Sequence, residues 1–306
     1  MAHERVMLRF GGYQGAASVH TRALRVLADE IRRSHDLNVE ITENVTEQGH
    51  RAVDLLDMVE RGDLDLCYFA SSYLADRVPA LRVLDLPFVV SDRRHAYDKL
   101  DGALGARLAD EVARATGFHV LGCWDNGFRH VSNRLRPIRS PEDCRGLRLR
   151  TMASTLHHEI FAALGFEPVA IDVKDLAEAV RSHLIDAQEN PLTNTVNFGL
   201  HRTHGHVSLT SHFFGVAPVL VNRARYRTWP EPVREAVRAG VRAATRAQRG
   251  FAVAEDADCL RRLREAGVQV LEESEIDRAA FGAAVAGIRR RELARLDRSL
   301  AAELES

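Results

Sequence analysis

Short apolar or β-branched runs alternate with stretches of helical period along this chain. Residues 6–10, 37–42 and 64–69 read as strands, with helices at 21–33 and 52–61 between them. Strand, helix, parallel strand is the repeating unit of α/β folds, and this rhythm excludes all-helical and all-β architectures. Within the second helix Val53, Leu55, Leu56 and Val59 form one apolar stripe, and Gly62 stands where a C-terminal cap is expected. A helix that is apolar on one face has to lie against the sheet.

The alternation restarts further on. A stretch at 81–90 interrupted by Pro87, two helical stretches and a strand at 119–124 close the first series. The second has a strand at 129–132, a helix start at Ser140-Pro141-Glu142-Asp143, strands at 147–150 and 168–171, and helices at 155–164 and 173–182. With 306 residues, 45% of them hydrophobic, the chain can bury two moderate cores, so two lobes are expected. From 232 to about 266 runs an Ala-, Arg- and Glu-rich helical pattern, roughly 50 Å long at about 1.5 Å per residue, enough to touch both lobes. A strand at 268–271 and a helix from Glu275 end the chain.

Charge and motifs exclude several classes of function. Lys+Arg is 42 against Asp+Glu 43, with no long run of one sign, so neither nucleic acid nor an anionic membrane is an expected partner. No apolar run approaches the roughly 18 residues of a membrane-spanning helix, and the first residues lead straight into a strand. That start fits a cytoplasmic protein, or an exported one without its leader. Cys67, Cys123, Cys144 and Cys259 are scattered and read as small buried hydrophobes rather than ligands. His201, His204, His206 and His212 cluster without an acidic or cysteine ligand nearby, so no metal is expected. Gly11-Gly12-Tyr13-Gln14-Gly15 lies where a dinucleotide loop would, but Phe10 stands where the fingerprint needs glycine. The turn reads instead as a tight strand-to-helix connection whose backbone N–H groups are available to an anion. No nucleophile elbow or phosphate loop occurs, so neither catalysis nor a cofactor is expected.

Three segments gather the remaining chemistry at strand ends: 124–129, 146–150 and 186–191. In 147–150, Leu147 and Leu149 share one face and Arg148 and Arg150 the other. Arg150 ends the strand, and its guanidinium offers a rigid fork that matches a carboxylate in bidentate fashion.

The run from Gly127-Phe128-Arg129 through Ser140-Pro141-Glu142-Asp143 to Gly146-Leu147-Arg148-Leu149-Arg150 closely resembles the signature of the solute-binding proteins of TRAP (tripartite ATP-independent periplasmic) transporters. Asp85-Leu86-Pro87-Phe88, Gln188-Glu189-Asn190-Pro191 and a strand pair around 213–222 resemble further landmarks of that family, in order. The resemblance implies an α/β, two-lobe periplasmic binding protein fold with crossovers between the lobes and a long bridging helix. The expected division is 1–126 plus 213–252 for one lobe and 127–212 plus 253–306 for the other, with the ligand in the cleft between them. It further implies a monomer outside the cytoplasmic membrane that captures a small organic acid by hinge closure and delivers it to membrane subunits. Arg150 matches the arginine that clamps the carboxylate, Arg129 a second arginine on the same anion, and Asn190 an amide that hydrogen-bonds it. Tyr13, Gln14, Ser71, Ser72, Tyr73, Trp124, Asn126, Met152 and Phe213 are the further pocket candidates, with Trp124 and Phe213 suited to stacking on a planar acid. Thr151-Met152-Ala153, where relatives often carry a proline, and Ala187, in place of a common glycine, depart from the pattern and bear on pocket shape. A dinucleotide-dependent oxidoreductase and a sensor-associated binding protein are the alternatives.

Overall fold

The computed structural model describes residues 6–34, 37–296 and 300. In chain order it forms β1 (Met7–Gly11), α1 (Val19–Ser34), β2 (Asn38–Thr42), α2 (Asp54–Arg61), β3 (Leu66–Tyr68), α3 (Arg93–Asp101), α4 (Ala103–Ala115) and β4 (Phe118–Asn133). There follow β5 (Arg148–Thr151), α5 (Thr155–Ala163), β6 (Glu167–Ala170), α6 (Val173–Arg181), β7 (Ala187–Pro191), α7 (Leu192–Asn197) and β8 (His206–Asn222). The chain ends through α8 (Arg223–Thr228), α9 (Glu231–Glu265), β9 (Gln269–Leu271) and α10 (Arg278–Arg295).

The chain divides into two compact units. The first runs to Ala70 and takes in Ala109–Asp125 and Val216–Ala254; the second comprises Ser71–Leu108, Asn126–Gly215 and the chain from Glu255. The division falls inside β4, β8 and α9, so two strands and one long helix each contribute to both units. These are the crossovers and the bridging helix that the sequence implies.

In the first unit β1 pairs parallel with β2 and β3, and β3 pairs antiparallel with β8, with Leu66 opposite Val221. Ala23, Leu24, Leu27, Ala28 and Ile31 fall three or four apart on α1, and all are fully buried. α2 ends as its glycine signals, with Gly62 left-handed at φ 81° and its N–H bonded to Val59 O.

In the second unit β5 lies between β6 and β7, parallel to both, and β4 runs antiparallel to β7. Leu147 and Leu149 point into a core with Val131, Ile160, Phe161 and Phe281. The register sets Arg150 beside Gln188, and Arg129 opposite Pro191. Polar side chains of three strands are thereby collected at one place.

The structure departs from the expected segments in three ways. Residues 71–108 belong to the second unit, because the 3-10 turn Pro79–Asp85 packs on α5 and α10. The strands expected at 119–124 and 129–132 are parts of one strand, β4, and the strand pair around 213–222 is the single strand β8. In β4 the turn-like Asp125-Asn126-Gly127 lies within the strand, where Gly127 takes φ 83° and a Cβ would come 3.0 Å from Pro191 Cβ. Only glycine fits there without strain. Finally, the helix start at Ser140 forms one capped 3-10 turn, Pro141–Cys144, because Gly146 at φ 73° turns the chain at once into β5.

Candidate functional site

Arg150 is only 1% exposed, and its guanidinium is hydrogen-bonded to Tyr73. Nε donates to Ile171 O at 2.8 Å, while buried Nη2 finds no acceptor and the group has no ion-pair partner among the described residues. A buried, uncompensated cation is costly, by several kcal/mol in general.

Arg129 is buried too, but its fork is already filled. Nε and Nη2 donate to Glu189 Oε2 at 2.5 Å and Oε1 at 2.8 Å, and Nη2 also reaches Glu189 O at 2.8 Å and Asn190 Oδ1 at 3.3 Å. Burial alone would raise the Glu189 carboxyl, but the Arg129 charge and hydrogen bonds from His212 and Arg129 hold it well below the usual carboxylate range. The expected second arginine on the ligand is thus neutralised from within, and its charge goes to fixing β4 against β7.

Asn190 belongs to the same network. Its Nδ2 donates to Gln188 Oε1 at 2.6 Å and its Oδ1 accepts from Asn194 Nδ2 at 3.2 Å. Gln188 Nε2 donates to Ser132 Oγ at 2.6 Å, and Ser132 Oγ lies 2.9 Å from His204 Nδ1. Chains of this kind are rigid because each member loses a partner if another moves.

Tyr73, half-buried in the 3-10 turn Ser71–Tyr73, lies in the field of both arginines: burial pushes its phenol up, and the Arg150 charge pulls it back. The turn is anchored through its neighbour. Ser72 Oγ donates to Asp85 Oδ1 at 2.7 Å, and Asp85 Oδ1 lies 3.2 Å from His157 Nε2 on α5. Three residues after Asp85, Phe88 takes φ 61° and its N–H bonds to His212 O at 3.0 Å. The Asp85-Leu86-Pro87-Phe88 segment thereby pins the turn to the wall that carries Glu189.

Other candidates are held as core. Phe213 stacks on His157 with ring centroids 4.8 Å apart and meets Phe161 and His212 edge-on. Ser71, Asn126 and Met152 are buried in the second unit, where Asn126 Oδ1 finds no donor among the described residues. In the first unit Trp124 is fully buried, with Nε1 donating to Thr245 Oγ1 at 3.1 Å and the ring 5.5 Å from that of Tyr68. Tyr13 packs on Phe69, and Gln14 Oε1 accepts from Ser18 Oγ at 2.5 Å. The glycine turn spends its Gly12 N–H on Thr42 O, so that amide is not available to an anion. Trp124 and Phe213 serve packing within their own units, since protein rings already occupy their neighbourhoods.

Sequence reasoning did not assign roles to Glu189, His212, Asp85 and His157. Glu189 stood inside a quoted motif, but nothing in spacing joins it to an arginine 60 positions away. Among the described residues no group of three or more His, Cys, Asp or Glu side chains is placed to hold a metal ion, and no helix is long and apolar enough to cross a membrane. Cys67, Cys144 and Cys259 are buried, and burial pushes the Cys259 thiol up to about 12.

Residues 10–294 match the family model described as bacterial extracellular solute-binding protein, family 7. A solute-binding protein of Verminephrobacter eiseniae is 30% identical, over 76% of this chain and 69% of its own. The 2,3-diketo-L-gulonate-binding periplasmic protein of Escherichia coli is 28% identical over 76% and 69%. Among solved structures, a TRAP periplasmic solute-binding protein from Polaromonas bound to D-erythronate superposes with a TM-score of 0.92 at 25% identity, covering 99% of each chain.

Proposed function

Because this chain belongs to the bacterial extracellular solute-binding proteins of family 7, we propose that it captures a small organic carboxylate on Arg150, outside the cytoplasmic membrane, for transfer to TRAP membrane subunits. One observation carries the reading: Arg150 is buried with a guanidinium nitrogen that no acceptor among the described residues meets, while the nearby Arg129 is paired through Nε and Nη2 with Glu189. A carboxylate supplies what Arg150 lacks, two acceptor oxygens in the plane of the fork and one negative charge. D-erythronate in the Polaromonas structure and 2,3-diketo-L-gulonate in the name of the E. coli relative are acids of this kind. The side chains at the site are suited to bind and orient, and the chain is read as a carrier rather than an enzyme.

A thermal-shift panel of mono- and dicarboxylates, sugar acids and aromatic acids tests the reading. A ligand bound only by the folded protein stabilises it by about 2.7 kcal/mol at 100 times its dissociation constant, so a cognate acid is expected to raise the melting temperature by several degrees. A panel in which no carboxylate moves the transition would contradict the proposal.

A further inference from the structure

Resting on that reading, we infer that the ligand is a monoanion: a monocarboxylate whose remaining polar groups are uncharged, not a dicarboxylate. Among the described residues Arg129 and Arg150 are the fully buried cationic side chains. Glu189 takes the Arg129 fork in a bidentate pair, with side chains 4% and 0% exposed, so that pair is neutral. Arg148, two residues before Arg150 on β5, is turned to Asp186, which it meets at 2.9 Å and shares with Arg134 at 2.6 Å. Arg82 is committed to buried Glu292 at 3.0 Å. One buried guanidinium is left without a carboxylate, and it neutralises one.

Buried Asp85 brings no free cation, since it accepts from Ser72 Oγ and faces His157 at 3.2 Å, and three further histidines of this unit do not alter the sum. His212 faces Glu189 and Thr210, His130 accepts from Ser211 N, and His204 faces Ser132. Burial lowers His130 to about 3 and His204 to about 4, and it lowers His212 as well, so the rings are neutral near pH 7. The neighbouring groups, Gln188, Asn190, Asn194 and Tyr73, are uncharged near pH 7 and match hydroxyls or a carbonyl. A second carboxylate brought into this environment would be desolvated with no cation to meet it.

Matched acids that differ only at the far end provide the test: D-erythronate against meso-tartrate, D-gluconate against D-glucarate, and D-galactonate against galactarate, each titrated calorimetrically into the unaltered protein at pH 7. In every pair that binds, the monocarboxylate is expected to be tighter by about tenfold or more. In Glu189→Gln, which releases the Arg129 charge, that preference is expected to shrink by about tenfold. A dicarboxylate that binds the unaltered protein as tightly as its partner, or a preference that Glu189→Gln leaves intact, overturns the monoanion assignment while leaving carboxylate capture in place. Silence from all six acids and from a wider carboxylate panel removes carboxylate capture itself, and the monoanion assignment with it.

Discussion

Arg150→Lys is expected to lose about 30-fold to several thousand-fold in affinity for the acid that stabilises the protein most. The charge survives the change, but the planar fork that meets two oxygens does not. Losing one partner of a buried charged pair costs about 2–5 kcal/mol, and each 1.4 kcal/mol is about tenfold. Arg150→Met should bind no better than Arg150→Lys, yet its ligand-free form should melt at a higher temperature than the unaltered protein. That sign follows from the geometry, because Arg150 is a buried charge with an unmet donor when no ligand is present. Arg148→Ala is the control. Its side chain is 40% exposed and paired with Asp186, which keeps Arg134, so affinity should change by less than about threefold. Equal losses at 148 and 150, or near-normal binding in Arg150→Lys, would remove the clamp.

Arg129→Met should cost about 3–5 kcal/mol of folding stability, read from urea unfolding, because it strands Glu189 in a dry environment. The double variant Arg129→Met/Glu189→Met should recover most of that loss, since replacing both charges by apolar groups of similar volume removes the desolvation cost together with the pair. It should nonetheless bind the acid less tightly, because Asn190 and Gln188 lose the neighbour that holds them in place. A double variant no more stable than the single one would mean that Arg129 is not tied to Glu189 as described.

How far the sequence carried the account differs from element to element. The βαβ rhythm, the stripe on α2 with its Gly62 cap and the long helix α9 were legible because each rests on local periodicity and end signals. The face that Arg148 and Arg150 share was legible from strand alternation, but that Arg150 is buried while Arg148 is half-exposed was not, because alternation treats the two alike. The place of 71–108 in the second unit was not, since two 3-10 turns carry no period and their attachment depends on Asp85 meeting His157 from 72 positions away. β4 and β8 read as broken strands because polar residues and a glycine interrupt their apolar runs, a pattern that local propensity scores as a turn. Trp124 and Phe213 looked equally suited to ligand and core, and only burial and ring neighbours separate the two. The pairing of Arg129 with Glu189 is a tertiary fact: two residues of opposite charge in a chain with 85 charged side chains of either sign (42 + 43) single out nothing.

The central claim is that a buried guanidinium recognises charge, and the most direct measurement compares one acid with its own primary amide. The amide keeps the carbon skeleton, the hydroxyls and one acceptor oxygen, and it loses the negative charge and the second acceptor. Calorimetric titration of the unaltered protein at pH 7, with the best acid of the panel and then with its amide, should give binding for the acid and an affinity at least about 100-fold weaker for the amide. An amide that binds within a few-fold of its acid would contradict the account, because the site would then be reading shape and hydroxyls rather than the carboxylate that Arg150 is built to hold.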